Sequence, residues 1–228
     1  MTAASGPLRI EALCDSDGGG PVARQRALPP AAREVHRMVL RAFLNSDQPP
    51  RRRDLPDSCG IDLDEALALL DEVDLVHLDA DGRVVVAYPF AGRITGHTVR
   101  VDAGPALQAM CAVDALAIPM LAGRDAVIES ADPLDGQPIR VECTGGSWRW
   151  APAETVVLLA QSAECGVAAE CLCPAITFHG TRHRAEAHLD GRSGLTGLVL
   201  GQDQALEIAR FSFGLLLAPA ADADGDMG

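Results

Sequence analysis

The chain has 228 residues, 48% hydrophobic and 22% charged, the balance of a soluble globular protein of one or two domains with a core of its own. Its 32 acidic residues outnumber the 19 basic ones, and a net charge of −13 disfavours general binding to nucleic acid or to an anionic membrane face. All 19 basic residues are arginine, consistent with a codon bias toward G and C; without a lysine, PLP-lysine enzymes, aldolases and P-loop nucleotide hydrolases are excluded.

Residues 1–30, with Gly18-Gly19-Gly20 and Pro29-Pro30, lack periodicity and read as a flexible arm. Met1 to Asp17 shows no apolar h-region, so no secretory signal is expected, and no apolar run reaches the ~18 residues of a membrane span. Ala31 to Asn45 carries Val35, Met38, Val39, Ala42 and Phe43 at helical spacing. A short segment, Arg51 to Ser58, follows, with Gly60 as a breaker. Asp62 then caps a second helix that places Leu63, Ala66, Leu67, Leu70 and Val73 on one face, with Glu65 at the capping-box position. Leu75 to Leu78 and Arg83 to Tyr88, joined by the turn Asp79-Ala80-Asp81-Gly82, form a hairpin.

That order of parts predicts a winged-helix-like module over residues 31–92. The second helix carries Asp62, Asp64, Glu65, Asp71, Glu72 and Asp74 and no basic residue, so it is a poor reader of DNA. Arg51-Arg52-Arg53 is read as a solvated helix start.

From about residue 93 to 218 the pattern becomes that of a mixed β-sheet domain around a buried apolar helix. Thr98–Val101, Ala126–Ser130, Pro138–Glu142, Val156–Leu159 and Ala175–Phe178 read as strands, and Trp148 and Trp150 flank Arg149 as one face of an edge strand. Ala106 to Leu121 reads as the strongly apolar helix and Gln202 to Leu217 as a late helix; residues 219–228 are small and acidic and read as a frayed tail. The expected fold class is therefore α+β.

Seven cysteines (Cys14, Cys59, Cys111, Cys143, Cys165, Cys171 and Cys173) in a chain without an expected export signal argue for reduced thiols in a cytoplasm. The informative segment is Met110-Cys111-Ala-Val-Asp114-Ala-Leu-Ala-Ile-Pro119. A thiol and a carboxyl three residues apart share one face of a helix, and a lone aspartate in so apolar a setting is pushed toward its neutral form.

Cys111-Ala-Val-Asp114 with Pro119 and the Gly123-Arg124 pair resembles the signature of the alkylmercury (organomercurial) lyases. The resemblance runs on through Asp135-Gly136-Gln-Pro138-Ile and resumes at Glu170-Cys-Leu-Cys173-Pro-Ala-Ile-Thr-Phe178, covering about residues 30–217. It implies Cys111 and Cys173 as nucleophiles and mercury ligands, and Asp114 as general acid/base and a third residue of the metal site. Cys171 and Cys173 both lie near the second-cysteine position; counting back from Phe178 favours Cys173 and leaves Cys171 as the extra thiol. A further, partly structural cysteine of several family members falls near Asp132 here.

The chemistry agrees with the resemblance, because a soft organomercurial cation selects thiolates. The implied reaction is protonolysis of the carbon–mercury bond to a hydrocarbon and Hg(II), which stays bound as product, with no organic cofactor. The implied partners are a small organomercurial, low-molecular-weight thiols and a mercuric reductase that accepts Hg(II), with neither nucleic acid nor membrane. The alternative is a non-catalytic protein that binds Cu(I) or Hg(II) through Cys111, Cys171 and Cys173 on the same scaffold. His179, His183 and His188 lack the glutamate of a zincin motif and read as a solvated loop.

Overall fold

The computed structural model describes residues 21–46, 48–56, 62–162, 169, 172–214 and 216. Cys14, Cys59, Cys165 and Cys171, the breaker Gly60 and the tail 219–228 lie outside them.

The described residues open on a short helix, α1 (Pro21–Ala27), inside the segment expected to be a flexible arm. Val22 and Leu28 bury their side chains, and the Arg24 guanidinium donates to the carboxylate of Asp74 (2.9 Å). Periodicity missed this helix because it is only 7 residues long. Helix α2 (Pro30–Leu44) then buries Val35, Val39, Leu40 and Phe43, with a proline at its start, where no amide hydrogen is needed.

After a 3-10 turn, Arg52–Asp54, comes α3 (Leu63–Glu72). The expected cap is present: Asp62 Oδ1 accepts from the N–H groups of Asp64 and Glu65, each at 3.0 Å. The helix ends with Leu75 N–H on the Leu70 carbonyl (2.9 Å) and Asp74 N–H on that of Asp71 (3.0 Å). This is a Schellman ending, and Asp74 occupies its left-handed position at φ 54°, where glycine is the usual residue.

The hairpin strands β1 (Val76–Leu78) and β2 (Val84–Ala87) are the first two of an eight-stranded antiparallel sheet rather than a free wing. The sheet continues with β3 (Phe90–Ala91), β4 (Thr98–Val101), β5 (Ala106–Ala109), β6 (Ala126–Ala131), β7 (Pro138–Thr144) and β8 (Ser147–Ala151). Its order is β1-β2-β3-β5-β4-β6-β7-β8, with β8 and its tryptophans on an edge. A second sheet places β9 (Val156–Ser162) between β10 (Thr177–His179) and β11 (Leu195–Leu200).

Helix α4 (Ala112–Ala122) lies in the interior, against β4, β5 and β6 of the large sheet, β10 of the small one and the late helix α6 (Gln202–Phe213). Nearly every one of its side chains is buried, which explains its lack of an amphipathic pattern. It ends at Gly123, whose φ of 61° suits glycine. Phe43 of α2 stacks on Phe90 of β3 with ring centroids 5.2 Å apart, so one continuous core joins the N-terminal helices to the sheet.

Two expectations are corrected. The apolar helix does not begin at Ala106: Ala106–Ala109 is a strand, and the helix starts at Ala112. A strand buried on one face and a fully buried helix both read as apolar runs, so hydropathy could not place the boundary. The histidines do not form a solvated loop either. His179 is in β10, His183 and His188 are on α5 (Arg182–Asp190), and His179 and His188 are buried with their rings edge to face. No helix among the described residues is long and apolar enough to cross a membrane.

Candidate active site

Cys111 is the second of the two residues between β5 and α4. Its backbone is extended (φ −155°), and its Sγ accepts the N–H of Asp114 at 3.4 Å, so the thiol caps the helix. The three-residue spacing therefore works as a cap-to-first-turn relationship rather than as two positions on one helical face. The next N–H, that of Ala112, donates to the Ile176 carbonyl (3.1 Å). This bond ties the start of α4 to the segment after a 3-10 turn, Cys173–Ala175, and Cys173 opens that turn with a buried side chain.

The result is a closed cluster. The Sγ atoms of Cys111 and Cys173 and a carboxyl oxygen of Asp114 all lie within 4.8 Å of one another, and all three residues are buried. The Cys173 thiol points its proton at Asp114 Oδ2 across 3.9 Å. Among the described residues, no other cluster of three or more His, Cys, Asp or Glu is arranged to hold a metal ion.

Burial dominates the electrostatics. It pushes the Asp114 carboxyl from 3.8 up to about 7, against the pull of hydrogen bonds with Cys111 and Cys173. Burial also pushes the Cys111 thiol well above the ordinary thiol range, with further contributions from Cys173 and Asp114. For Cys173 the hydrogen bond with Cys111 favours the thiolate, but burial and the charges of Asp114 and Asp74 outweigh it, and the thiol is raised as well. Burial thus favours the neutral thiols, and it brings the one carboxyl of the cluster to about neutral pH.

A model of the MerB family, alkylmercury lyase, matches residues 90–214. The chain belongs to the alkylmercury lyase family. Alkylmercury lyases of Bacillus cereus and of Clostridium butyricum are each 30% identical over 158 residues, spanning 69% of this chain and 71% of theirs. A crystal structure described as the mercury-bound form of MerB2 superposes with a TM-score of 0.73 at 19% identity, covering 92% of this chain and 98% of that one. The protein is accordingly a carbon–mercury lyase, and its substrate is an organomercurial.

The remaining motifs do not join the cluster. Asp132 is fully covered, and its Oδ2 accepts from Arg184 Nε (2.6 Å) and Gly180 N–H (2.9 Å) while Oδ1 accepts from Leu134 N–H (3.0 Å). It is a knot between the β6–β7 turn and the start of α5. The buried His179 ring stands beside it, and desolvation pushes that imidazole down to about 4 in spite of the carboxylate. Cys143 is buried in β7, away from the other described thiols.

The sequence reading missed one feature near the site. Tyr88, the single tyrosine of the chain, is buried and donates to Asp74 Oδ1 (3.3 Å). The usable signal was general: a buried phenol needs a partner.

Proposed function

We propose that this lyase cleaves the carbon–mercury bond by protonolysis, with Cys111 and Cys173 as successive nucleophiles and mercury ligands and Asp114 as the proton shuttle. The observation that carries this reading is the buried trio, two thiols and one carboxyl within 4.8 Å.

The balance is simple. An organomercurial R–Hg–X and two thiols give R–H, a bis-thiolate mercury and HX. The first thiolate replaces X on mercury. The second adds its electron density and weakens the Hg–C bond, while its proton passes to the Asp114 carboxylate. Asp114 then delivers that proton to carbon, the electron pair of the Hg–C bond forms the new C–H bond, and Hg(II) stays on the two sulfurs. A carboxyl near pH 7 can both take and give a proton under neutral conditions, which suits this double role. The burial of all three groups keeps water from competing for the proton.

Two external low-molecular-weight thiols would remove Hg(II) by exchange, with a mercuric reductase as a downstream acceptor. No organic cofactor enters the scheme. The reading places the protein in the cytoplasm, where thiols stay reduced, and apart from nucleic acid and membranes. The order α2, 3-10 turn, α3, β1, β2 supports a winged-helix-like module over residues 31–92 ahead of a catalytic region, 93–218. The exposed face of α3, with Asp64, Glu65, Asp71 and Glu72, argues against a DNA-reading role for it.

The test is benzene release from phenylmercury under excess small thiol. Wild type releases benzene, and Cys111→Ala and Cys173→Ala release none. Tight Hg(II) or Cu(I) binding by the wild type without any cleavage would replace this reading with that of a metal-binding protein.

A further inference from the structure

Asp74 stands in the left-handed position of a Schellman ending, which glycine fills without strain, so an aspartate there carries a backbone cost that its side-chain contacts offset. Three side chains converge on its carboxylate: Arg24 (2.9 Å) and His77 (2.7 Å), both on the N-terminal side of the fold, and Tyr88 (3.3 Å). His77 also bonds Asp71, through its other ring nitrogen. Ala87 pairs with Phe90, which makes Tyr88-Pro89 the two-residue turn between β2 and β3. The Pro89 carbonyl accepts the N–H of Met110 (3.0 Å), the residue before Cys111. The turn that carries Tyr88 is thus bonded to the chain one residue before Cys111.

We propose that Tyr88, aimed by Asp74, is a positioning residue of the thiol site, and that the N-terminal module takes part in catalysis through this pair. An ionised carboxylate can only accept, so the Tyr88 hydroxyl proton is committed to Asp74. The pair therefore anchors the β2–β3 turn, whose Pro89 carbonyl holds the Met110 N–H next to Cys111. A turn that holds the residue before the first thiol acts on the rate of sulfur–mercury exchange and of the proton transfer that follows it.

This inference rests on the cleavage reading above. The test uses the full chain with Tyr88→Phe, Asp74→Gly, the double variant and Asp74→Asn. Benzene release from phenylmercury is divided by the number of sites titrated with Hg²⁺, so that misfolded protein does not count. Each of the first two variants lowers kcat per titrated site about tenfold, the scale of one hydrogen bond to a charged group. KM moves less than about twofold, and the double variant is no slower than the slower single one, because the two residues act as a unit. Asn tolerates the left-handed backbone and keeps an acceptor oxygen, so Asp74→Asn recovers most of the rate. Unchanged kcat per site in Tyr88→Phe, or losses that multiply in the double variant, would overturn the proposal. Should wild type not cleave phenylmercury, the cleavage reading fails, and the same variants are read on the rate of Hg²⁺ capture by the thiol pair. Roughly tenfold slower capture in Tyr88→Phe upholds the positioning role, and equal capture removes it.

Discussion

The Sγ of Cys111 accepts the backbone N–H of Asp114 at 3.4 Å, so the first thiol of the site is also the cap of the helix that carries the acid. One bond fixes the distance between the proposed nucleophile and the proposed proton shuttle. It also places the thiol at the positive end of α4, where a thiolate is favoured. Burial acts the other way and keeps the same thiol protonated.

This double role separates two substitutions that are chemically alike. A serine hydroxyl at position 111 is a good helix cap, whereas alanine offers no acceptor. Both Cys111→Ser and Cys111→Ala abolish cleavage, but Cys111→Ser is the more stable by about 1 kcal/mol. Urea unfolding of the two variants gives the comparison, and equal midpoints would show that the cap contributes nothing.

Asp114 costs the fold stability, as its raised pKa shows. Its carboxyl titrates at about 7 in the folded chain against 3.8 as its ordinary value. Between those two pH values the folded state holds the extra proton, so stability falls as pH rises through the window and stays low above it. Asp114→Asn removes that penalty. The variant matches wild type near pH 4 and exceeds it by up to about 4 kcal/mol at pH 8, a figure that follows from the size of the shift. Denaturant melts at the two pH values check this, and a variant that is weaker than wild type at pH 8 contradicts it.

Asp132 has the opposite sign. Burial alone would raise its carboxyl, but the Arg184 guanidinium and the N–H groups of Gly180 and Leu134 outweigh it and hold the group at about 2. Its contribution is therefore complete above about pH 4 and is lost as pH falls toward 2. Asp132→Ala leaves Arg184 and two N–H groups without their acceptor and costs roughly 3 kcal/mol at pH 7. The loss shrinks at pH 2, which acid melts of the variant and wild type would show; a pH-independent difference would mean that packing, not the ion pair, is what was removed.

Much of the fold was legible where a residue type acts through local geometry. The Asp62 cap, the Asp79 to Gly82 turn and the period of α2 are short-range effects, and the structure shows each of them. The start of α4 was not legible, because a half-buried strand and a buried helix are equally apolar there. Residues 106–109 pair with β3 and β4, contacts that no local pattern records. Cys111 and Asp114 stood out as polar groups in an apolar run, whereas the approach of Cys173 from 59 positions away rests on the Ala112–Ile176 bond and the packing of β10 on α4. Asp74 and Tyr88 were read only as a helix end and a strand end, since their meeting depends on how the hairpin folds back over α3.

In the proposed mechanism Asp114 moves the proton rather than merely packing beside the thiols. The direct measurement takes purified Asp114→Asn and determines both Hg²⁺ affinity and the rate of benzene release from phenylmercury. The amide is nearly isosteric and leaves both sulfurs in place but has no acidic proton, and a positioned acid or base is typically worth about 10²–10⁴-fold in rate. The expected result is mercury binding as tight as wild type with cleavage slowed at least ~100-fold, on that same scale. Undiminished cleavage, or an equal loss of binding and cleavage, would contradict the account.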